Sequence, residues 1–323
     1  MDRKVNISTK DKLLRVLQEH DAEYISGQAL ARELKISRAA VWKGVEALRK
    51  RGHTIDGIAS KGYRLQESTK LFDQYTLETA LAGWKVYLHE EVDSTNRLAK
   101  QLDGEHAVVI AMAQKAGRGR LGRSFHSPIG GIYLSIRLPI SFALEEAQLI
   151  TSMASVAAHQ AIFETSGKVC TIKWVNDLYY ENKKVCGILT EGVVGMESGQ
   201  LSSVVVGIGL NLFTKIPAEL SEQATALFTS EEEAQSALDA NALVVLIVQK
   251  LLALIAKLPD RSYLEYYRTH SLILGKEVDV WQGGESWRAR VTAVDQWARL
   301  EVEDQSGVRH LLSSAEISIR LAR

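Results

Sequence analysis

The amino-acid sequence predicts an α+β protein of several domains: a winged helix-turn-helix at the N-terminus, a larger central domain of strands and helices, and a small antiparallel β-barrel at the C-terminus. Three observations carry this. Residues 8–52 hold three stretches of helical apolar periodicity followed by a hairpin signal. The middle of the chain mixes buried-strand runs such as AVVIAMA and VVVGIGLNL with helical ones. Beyond Gly275 the chain breaks into short alternating runs at GG, DQ and SG. At 323 residues, with 46% hydrophobic and 24% charged side chains, it is too long for one typical core and ordinary for a globular protein. The expected domains are 1–67, 68–272 and 273–323.

In the head, Leu13, Leu14, Val16 and Leu17 put one apolar face on a first helix capped by Ser8 or Thr9. A second helix starts at Ser26 and buries Leu30 and Leu34. The third opens with Ser37 as N-cap, repeats apolar residues at Val41, Val45 and Leu48, and stops at Gly52. Its outward face offers Arg38, Ala39, Trp42, Lys43 and Arg49, small near the start and basic along its length. That suits an element entering a major groove N-terminus first. HTIDGIASKGYRL then forms two strands around Lys61 and Gly62, a wing with a basic tip. The candidate DNA contacts are therefore Ser37, Arg38, Ala39, Trp42, Lys43, Arg49 and Lys61.

Charge supports the same reading. The formal net charge is zero, yet residues 1–68 carry 14 Lys and Arg against 9 Asp and Glu. Between Arg32 and Arg64 the balance is 9 to 3, the footprint of a nucleic-acid-binding surface. A three-helix packing module with merely solvated charges is the alternative. Two cysteines, Cys170 and Cys186, make no disulfide framework, and no CxxC or histidine pair offers a metal site. No apolar run approaches the roughly 20 residues that span a bilayer, so a reducing cytoplasm is the expected location.

The stretch AQKAGRGRLGRSFHSP alternates Gly117, Gly119 and Gly122 with Arg118, Arg120 and Arg123. Its glycines spell the dinucleotide-binding fingerprint, and a strand from Ala107 precedes it. No helix follows, because Pro128 and the Gly130–Gly131 pair lead into another strand. Arginines spaced by glycines instead suit a cationic flap that folds over a polyanion with bidentate hydrogen bonds. The sharper expectation is an ATP site without a P-loop; a solvated basic loop is the plainer one.

Three more stretches accompany it. VDSTNRLAK places Asp93, Ser94, Thr95 and Asn96 at a helix start. KWVNDLYYENKKVCGIL puts Lys173, Trp174, Asn176 and Asp177 before a strand hairpin, with Lys184 just ahead of Gly187. VVVGIGLNL is a buried strand ending in Asn211. In this order, with GRGRLGR between the first two, the set resembles the biotin protein ligases, in the bifunctional class that fuses a winged helix to the enzyme.

The resemblance implies a biotin/lipoate ligase-like catalytic domain on a mixed sheet, an SH3-like C-terminal domain, and two chemical steps. Biotin and ATP, with Mg2+, give biotinyl-5'-AMP, which then acylates a lysine of a biotin carboxyl carrier protein. It implies that Ser94, Thr95, Asn96 and Gln114, with Arg118, Gly119, Arg120, Lys184 and Gly187, hold biotin. Arg120, Arg123, Phe125 and Asn211 hold the nucleotide. Catalysis falls to Lys184, Arg118, Arg120 and Asp177. The residue types suit this chemistry, because a neutral ureido ring needs uncharged donors and acceptors, and joining a carboxylate to an α-phosphate needs cations where charge develops. The resemblance further implies a homodimer when adenylate is bound, an operator DNA partner and repression of biotin genes.

Each residue also has a plainer reading. Asp177 serves either to deprotonate the acceptor lysine or to make an Asx turn. Trp174 reads as packing and Cys186 as core. The chain departs from the family where Val175 replaces a common proline and Phe125 a common tryptophan. A biotin-sensing regulator without turnover is the rival function, and Lys184 with the intact arginine loop argues against it. A lipoate ligase would lack GRGRLGR.

Overall fold

Four helices and a hairpin lie in the first of two compact units, Met1–Ala82, the second being Gly83–Arg323. The computed structural model describes residues 9–20, 23–50, 53–67, 71–103, 106–140, 144–194, 201–282, 284–313 and 316–319. Ser8 and Gly52, expected at helix ends, lie outside the described residues, as does Gly283 of the GG break.

Helices α1 (Thr9–Glu19), α2 (Gly27–Glu33) and α3 (Arg38–Lys50) pack around Leu13, Leu17, Leu30, Val41, Val45 and Leu48, all essentially inaccessible to solvent. Each such side chain contributes about 2 kcal/mol by leaving water. Ser26 Oγ accepts from Ala29 N and Ser37 Oγ from Ala40 N, both at 3.1 Å, so Ser37 is the expected cap and Ser26, at the expected start of the second helix, caps it as well. Leu34, expected in the core, is only partly buried and packs against its edge. The wing is an antiparallel hairpin of β1 (Thr54–Ile58) and β2 (Gly62–Glu67). Helix α4 (Gln74–Ala80), capped by Asp73, completes the unit and has no counterpart among the expected elements.

The second unit holds a seven-stranded mixed sheet. Its strands are β3 (Lys85–Val92), β4 (Ala107–Gln114), β5 (Gly131–Pro139), β6 (Thr171–Lys173), β7 (Asp177–Tyr180), β8 (Lys183–Val194) and β9 (Leu201–Asn211). The order is β3-β4-β5-β9-β8-β7-β6, with β3 and β4 parallel and every other pair antiparallel. Helix α5 (Thr95–Gln101) makes the crossover that a parallel pair requires. Its Ala99 packs on Val109 and Val205. Arg137, buried in the sheet, donates to the carbonyls of Ala99 and Lys100 at 3.1 and 3.4 Å and so caps the helix C-terminus.

Helix α6 (Ile150–Ser166) also packs against the sheet and is buried on almost every side, because α8 (Ala240–Ile255) lies against it. The apolar run LVVLIVQKLLALI supplies that contact, with Leu243, Val244, Ile247, Val248 and Leu251 buried. Residues 233–268, whose apolar periodicity reads as one helical stretch, divide among three helices: α7 (Glu231–Ala237), α8 and α9 (Tyr263–Thr269). Asp239 caps α8 anew, and Pro259, which has no backbone N–H, stands in the gap before α9.

Between α6 and α9, His159 sits with Nδ1 3.0 Å from Tyr266 Oη and Nε2 2.8 Å from Cys170 O, and His270 lies beside it. Burial holds its pKa below the ordinary histidine value, and His270 adds to the effect against the pull of the Cys170 carbonyl. The folded state therefore binds this proton less readily than the unfolded chain, so stability falls as pH drops through the ordinary histidine range. The thermal midpoint is expected to drop between pH 7.5 and 5.5, and to drop less in His159→Gln; equal drops would remove His159 as the cause.

The C-terminal strands β10 (Glu277–Gln282), β11 (Glu285–Val294), β12 (Leu300–Asp304), β13 (Arg309–Leu312) and β14 (Glu316–Ile319) form an antiparallel sheet in the order β13-β12-β11-β10-β14, consistent with an SH3-like domain. Val278, Val280, Val291, Leu300 and Val302 fill its core. A turn at 295–299 docks onto the central domain: Trp174 Nε1 donates to Ala298 O at 2.8 Å, and the Arg261 guanidinium stacks 3.6 Å from the Trp297 ring centre. Trp174 is thus packing, as its aromatic bulk suggests, and also a polar link between the two sheets.

Candidate active site

Successive strand residues point to opposite faces of a sheet. On β8 and β9 this alternation places Gly187 opposite Gly209, and Leu189 opposite Gly207. A Cβ at Gly209 would stand 2.6 Å from Phe125 Cε1, and one at Gly187 3.0 Å from Cε2, so the Phe125 ring lies flat across the paired glycines. A Cβ at Gly207 would collide with the Asn96 side chain. The glycines of VCGIL and VVVGIGLNL therefore make a depression in the sheet, under a cleft of about 700 Å³.

One part of the cleft is polar and uncharged. Ser94 caps α5, and its Oγ lies 3.5 Å from Arg97 N. Thr95 N and Oγ1 both reach Gln114 Oε1, at 2.8 and 3.1 Å. Gln114 Nε2 donates to Ser127 Oγ, which donates to Phe125 O at 2.8 Å. Asn96 donates to Glu191 and to Leu189 O, and accepts from Ser135. Hydroxyls and amides at the mouth of a closed network suit a neutral, flat, hydrogen-bonding ring.

Another part is cationic. Lys184 Nζ is 2.7 Å from Asp177 Oδ1 and sits 5.8 Å from the centre of the Phe125 ring. The backbone of Lys184 is fixed separately, by Lys184 N to Gln223 O and Thr225 N to Lys184 O, both 2.9 Å. The arginine loop closes as a small hairpin: Gly119 N donates to Arg123 O at 2.8 Å and Phe125 N to Gly117 O at 2.9 Å. Arg120 reaches Asn176 Oδ1 at 3.1 Å, and burial pulls its pKa down against the pull of Asp177. The glycines allow this turn, which carries Arg118, Arg120 and Arg123 to the cleft wall.

The cleft gathers Ser94, Thr95, Asn96, Gln114, Arg118, Gly119, Arg120, Arg123, Phe125, Asp177, Lys184 and Gly187. Asn211 is not among its lining residues. Its amide donates to Thr225 O at 3.1 Å and its carbonyl accepts from Leu227 N, so it ties the 213–230 segment to the end of β9. Cys186 is buried and its thiol is pushed up by burial; Cys170 is pushed up to about 12 for the same reason. Both read as core. Sequence reasoning missed Lys100, Ser127, Ser135 and Glu191, which hold the polar side together, and Gln223 and Lys276 at the rim. Glu191 follows VCGIL by two residues and is the first acidic residue after it, which was the available signal.

On the head, Ser37, Arg38, Ala39, Trp42, Lys43 and Lys61 are exposed, and Trp42 keeps 55% of its surface open to solvent. Lys61 Nζ lies 5.6 Å over the Tyr24 ring. Arg49 is exposed too and also has partners within the head. Its Nε and Nη2 donate to Ile55 O at 2.9 and 2.6 Å, and Nη1 pairs with Glu46 at 2.8 Å. The guanidinium fastens α3 to the wing.

Among the described residues, no group of three or more His, Cys, Asp or Glu side chains has the arrangement to hold a metal ion, and no single helix is long and apolar enough to cross a membrane. The family model for the biotin/lipoate A/B protein ligase family matches residues 88–211, and that for an HTH domain matches 9–64. The chain is 37% identical to the bifunctional ligase/repressor BirA of Bacillus subtilis, over 67% of this chain and 69% of that protein. It is 28% identical to the protein of that name in Escherichia coli, over 94% and 95% of the two chains. Its fold matches that of a biotin protein ligase from Aquifex aeolicus in complex with biotin and ATP, with a TM-score of 0.61 at 24% identity, covering 74% of this chain and 99% of that one.

Proposed function

The chain belongs to the bifunctional biotin protein ligase family, and from that premise we propose that it is an ATP-dependent biotin protein ligase and a DNA-binding repressor of biotin genes. The observation that carries the enzyme half is the convergence on one cleft of an uncharged hydrogen-bonding surface with the cations Arg118, Arg120, Arg123 and Lys184. One suits a ureido ring and the other two reacting anions.

In the first step a biotin carboxylate oxygen attacks the α-phosphorus of ATP, a C–O–P bond forms, and pyrophosphate leaves with the electron pair of the broken P–O bond. Lys184 and Arg120 stabilise the charge between the anions, and Arg118 and Arg123 close over the adenylate. A Mg2+ ion bound with ATP would share with Lys184 and the arginines in neutralising the phosphate charge. Phe125 offers a flat face to the adenine. In the second step the acceptor lysine amine attacks the biotinyl carbonyl carbon, AMP leaves, and Asp177 takes the amine proton. The acceptor is a biotin carboxyl carrier domain. The functional domains are 1–67 for DNA, 68–272 for chemistry and 273–323 as the SH3-like support.

Adenylate binding favours a homodimer, whose paired heads read a palindromic operator, and the protein works in the cytoplasm, where its two thiols stay reduced. Incubation with biotin and Mg-ATP is expected to give biotinyl-5'-AMP by mass spectrometry, and lipoate is expected to give no adenylate. A folded protein that binds biotin and makes no adenylate would leave only the regulator. For the head, Lys43→Ala is expected to weaken operator binding and to reduce the slope of log affinity against log salt by about one; an unchanged slope would remove Lys43 from the phosphate contacts.

A further inference from the structure

Behind the polar part of the cleft runs one continuous chain of hydrogen bonds. Lys100 Nζ lies 2.7 Å from Glu191 Oε1, and Asn96 Nδ2 donates to Glu191 Oε2 at 2.8 Å. Ser135 Oγ donates to Asn96 Oδ1 at 2.6 Å and lies 2.8 Å from Thr95 Oγ1, which meets Gln114 Oε1. Serine and threonine hydroxyls and the amides of Asn and Gln can each give or take, so such a chain can run in either direction. Its sense is decided by groups that cannot reverse.

Glu191 is such a group. Partial burial works against its charge, but hydrogen bonds from Lys100 and Asn96 overcome this and hold its carboxyl below the usual range. As a carboxylate it only accepts, and it faces two donors at once. We propose that the Glu191–Lys100 pair fixes the sense of this chain from Asn96 through Ser135 to Thr95, which makes Glu191 a positioning residue that presets whether the Thr95 hydroxyl turns its hydrogen or a lone pair to the ligand; Gln114 is fixed separately, because its Oε1 accepts from the Thr95 backbone N–H at 2.8 Å. The proposal rests on the reading of the cleft as a biotin site. A ureido group carries one carbonyl acceptor between two N–H donors, so it requires partners of set polarity.

A carboxamide in place of the Glu191 carboxylate has one acceptor and one donor for two donors. Lys100, being charged, takes the oxygen, and an N–H is left against the Asn96 amide. Asn96 then keeps a donor–donor clash or turns its oxygen toward Leu189 O, 3.3 Å away. Removing the second donor relieves this. With Lys100→Met added to Glu191→Gln, the introduced carboxamide can give its oxygen to Asn96 and its N–H groups to solvent.

The test measures biotin and ATP KM by biotin-dependent pyrophosphate release on the full chain, with the biotin Kd by calorimetry. Glu191→Gln is expected to raise biotin KM and Kd at least tenfold, with kcat and ATP KM within about threefold. Glu191→Gln with Lys100→Met is expected to recover most of that loss, and the loss is expected in biotin Kd with the thermal midpoint little changed, whereas a merely structural ion pair would lower the midpoint of Glu191→Gln and leave biotin Kd unchanged. Ser135→Ala, which cuts the chain in the middle, is expected to show the same biotin-specific loss and carries the test should Glu191→Gln not fold. Unchanged biotin affinity in both single variants, or a double variant no better than Glu191→Gln, overturns the proposal. Wild-type protein that binds biotin without turnover would instead overturn the ligase reading, and the calorimetric comparison would still judge Glu191.

Discussion

Lys184→Ala is expected to lower biotin-dependent adenylate formation about 10²- to 10³-fold, the range seen when one preorganised group facing developing charge is removed, while leaving the fold intact. The fold is spared because the β8 backbone at 184 is held by Gln223 O and Thr225 N, not by the side chain. Chemistry is not spared. The variant leaves the Asp177 carboxylate facing the cleft without the ammonium 2.7 Å away, so the site gains net negative charge where two anions must meet. Neighbouring Lys183 is the control, since its ammonium is bound to Ser221 O at 2.6 Å, and Lys183→Ala is expected to change the rate less than threefold. Mass-spectrometric yield of adenylate, read beside thermal unfolding, decides the matter. A rate within threefold of wild type in Lys184→Ala would remove it from the mechanism.

The second large effect lies where a side chain is missing. Gly209 has an ordinary strand backbone, so alanine there meets no conformational penalty, and its whole consequence is steric. The new methyl would stand 2.6 Å from Phe125 Cε1, and the ring must leave the glycine pair. If Phe125 faces adenine, Gly209→Ala raises ATP KM about tenfold, equivalent to an aromatic contact of about 1.4 kcal/mol. Phe125→Ala is expected to lose a similar amount, and the double variant no more than Phe125→Ala alone, because both changes act through one ring. Additive losses would show that Gly209 matters for some other reason.

Much of the molecule is legible in the sequence, for reasons that differ by element. Helices α1 to α3 announce themselves by apolar periodicity, by Ser26 at a helix start and by Ser37 as a cap, all local signals. The strands β4 and β9 read clearly because strands covered on both faces are continuously apolar. Most of the site is reached through the ordered motifs, since a helix start, a glycine-arginine turn and a hairpin each place their residues locally. What escapes depends on contacts between distant segments. Nothing near Asn211 says that its amide belongs to Thr225, and nothing near Ser135 says that its hydroxyl meets Asn96, 39 residues away. The hold of Arg49 on the wing escapes as well, because an arginine on an exposed helix face has the same sequence signature whether or not it reaches a neighbouring carbonyl. The break between α8 and α9 is marked by Pro259, yet the stretch reads as one run because apolar periodicity resumes beyond it.

That fastening of Arg49 changes how an alanine scan of the head should be interpreted. Scored by lost operator affinity alone, Arg49→Ala would sit among the DNA contacts whether or not it touches phosphate, because its guanidinium also holds Ile55 O of the wing. Salt titration separates the two kinds of loss. A deleted phosphate contact lowers the slope by about one, whereas a wing released from α3 withdraws Lys61 and every other charge it carries, so a single substitution would erase the counterion signature of several.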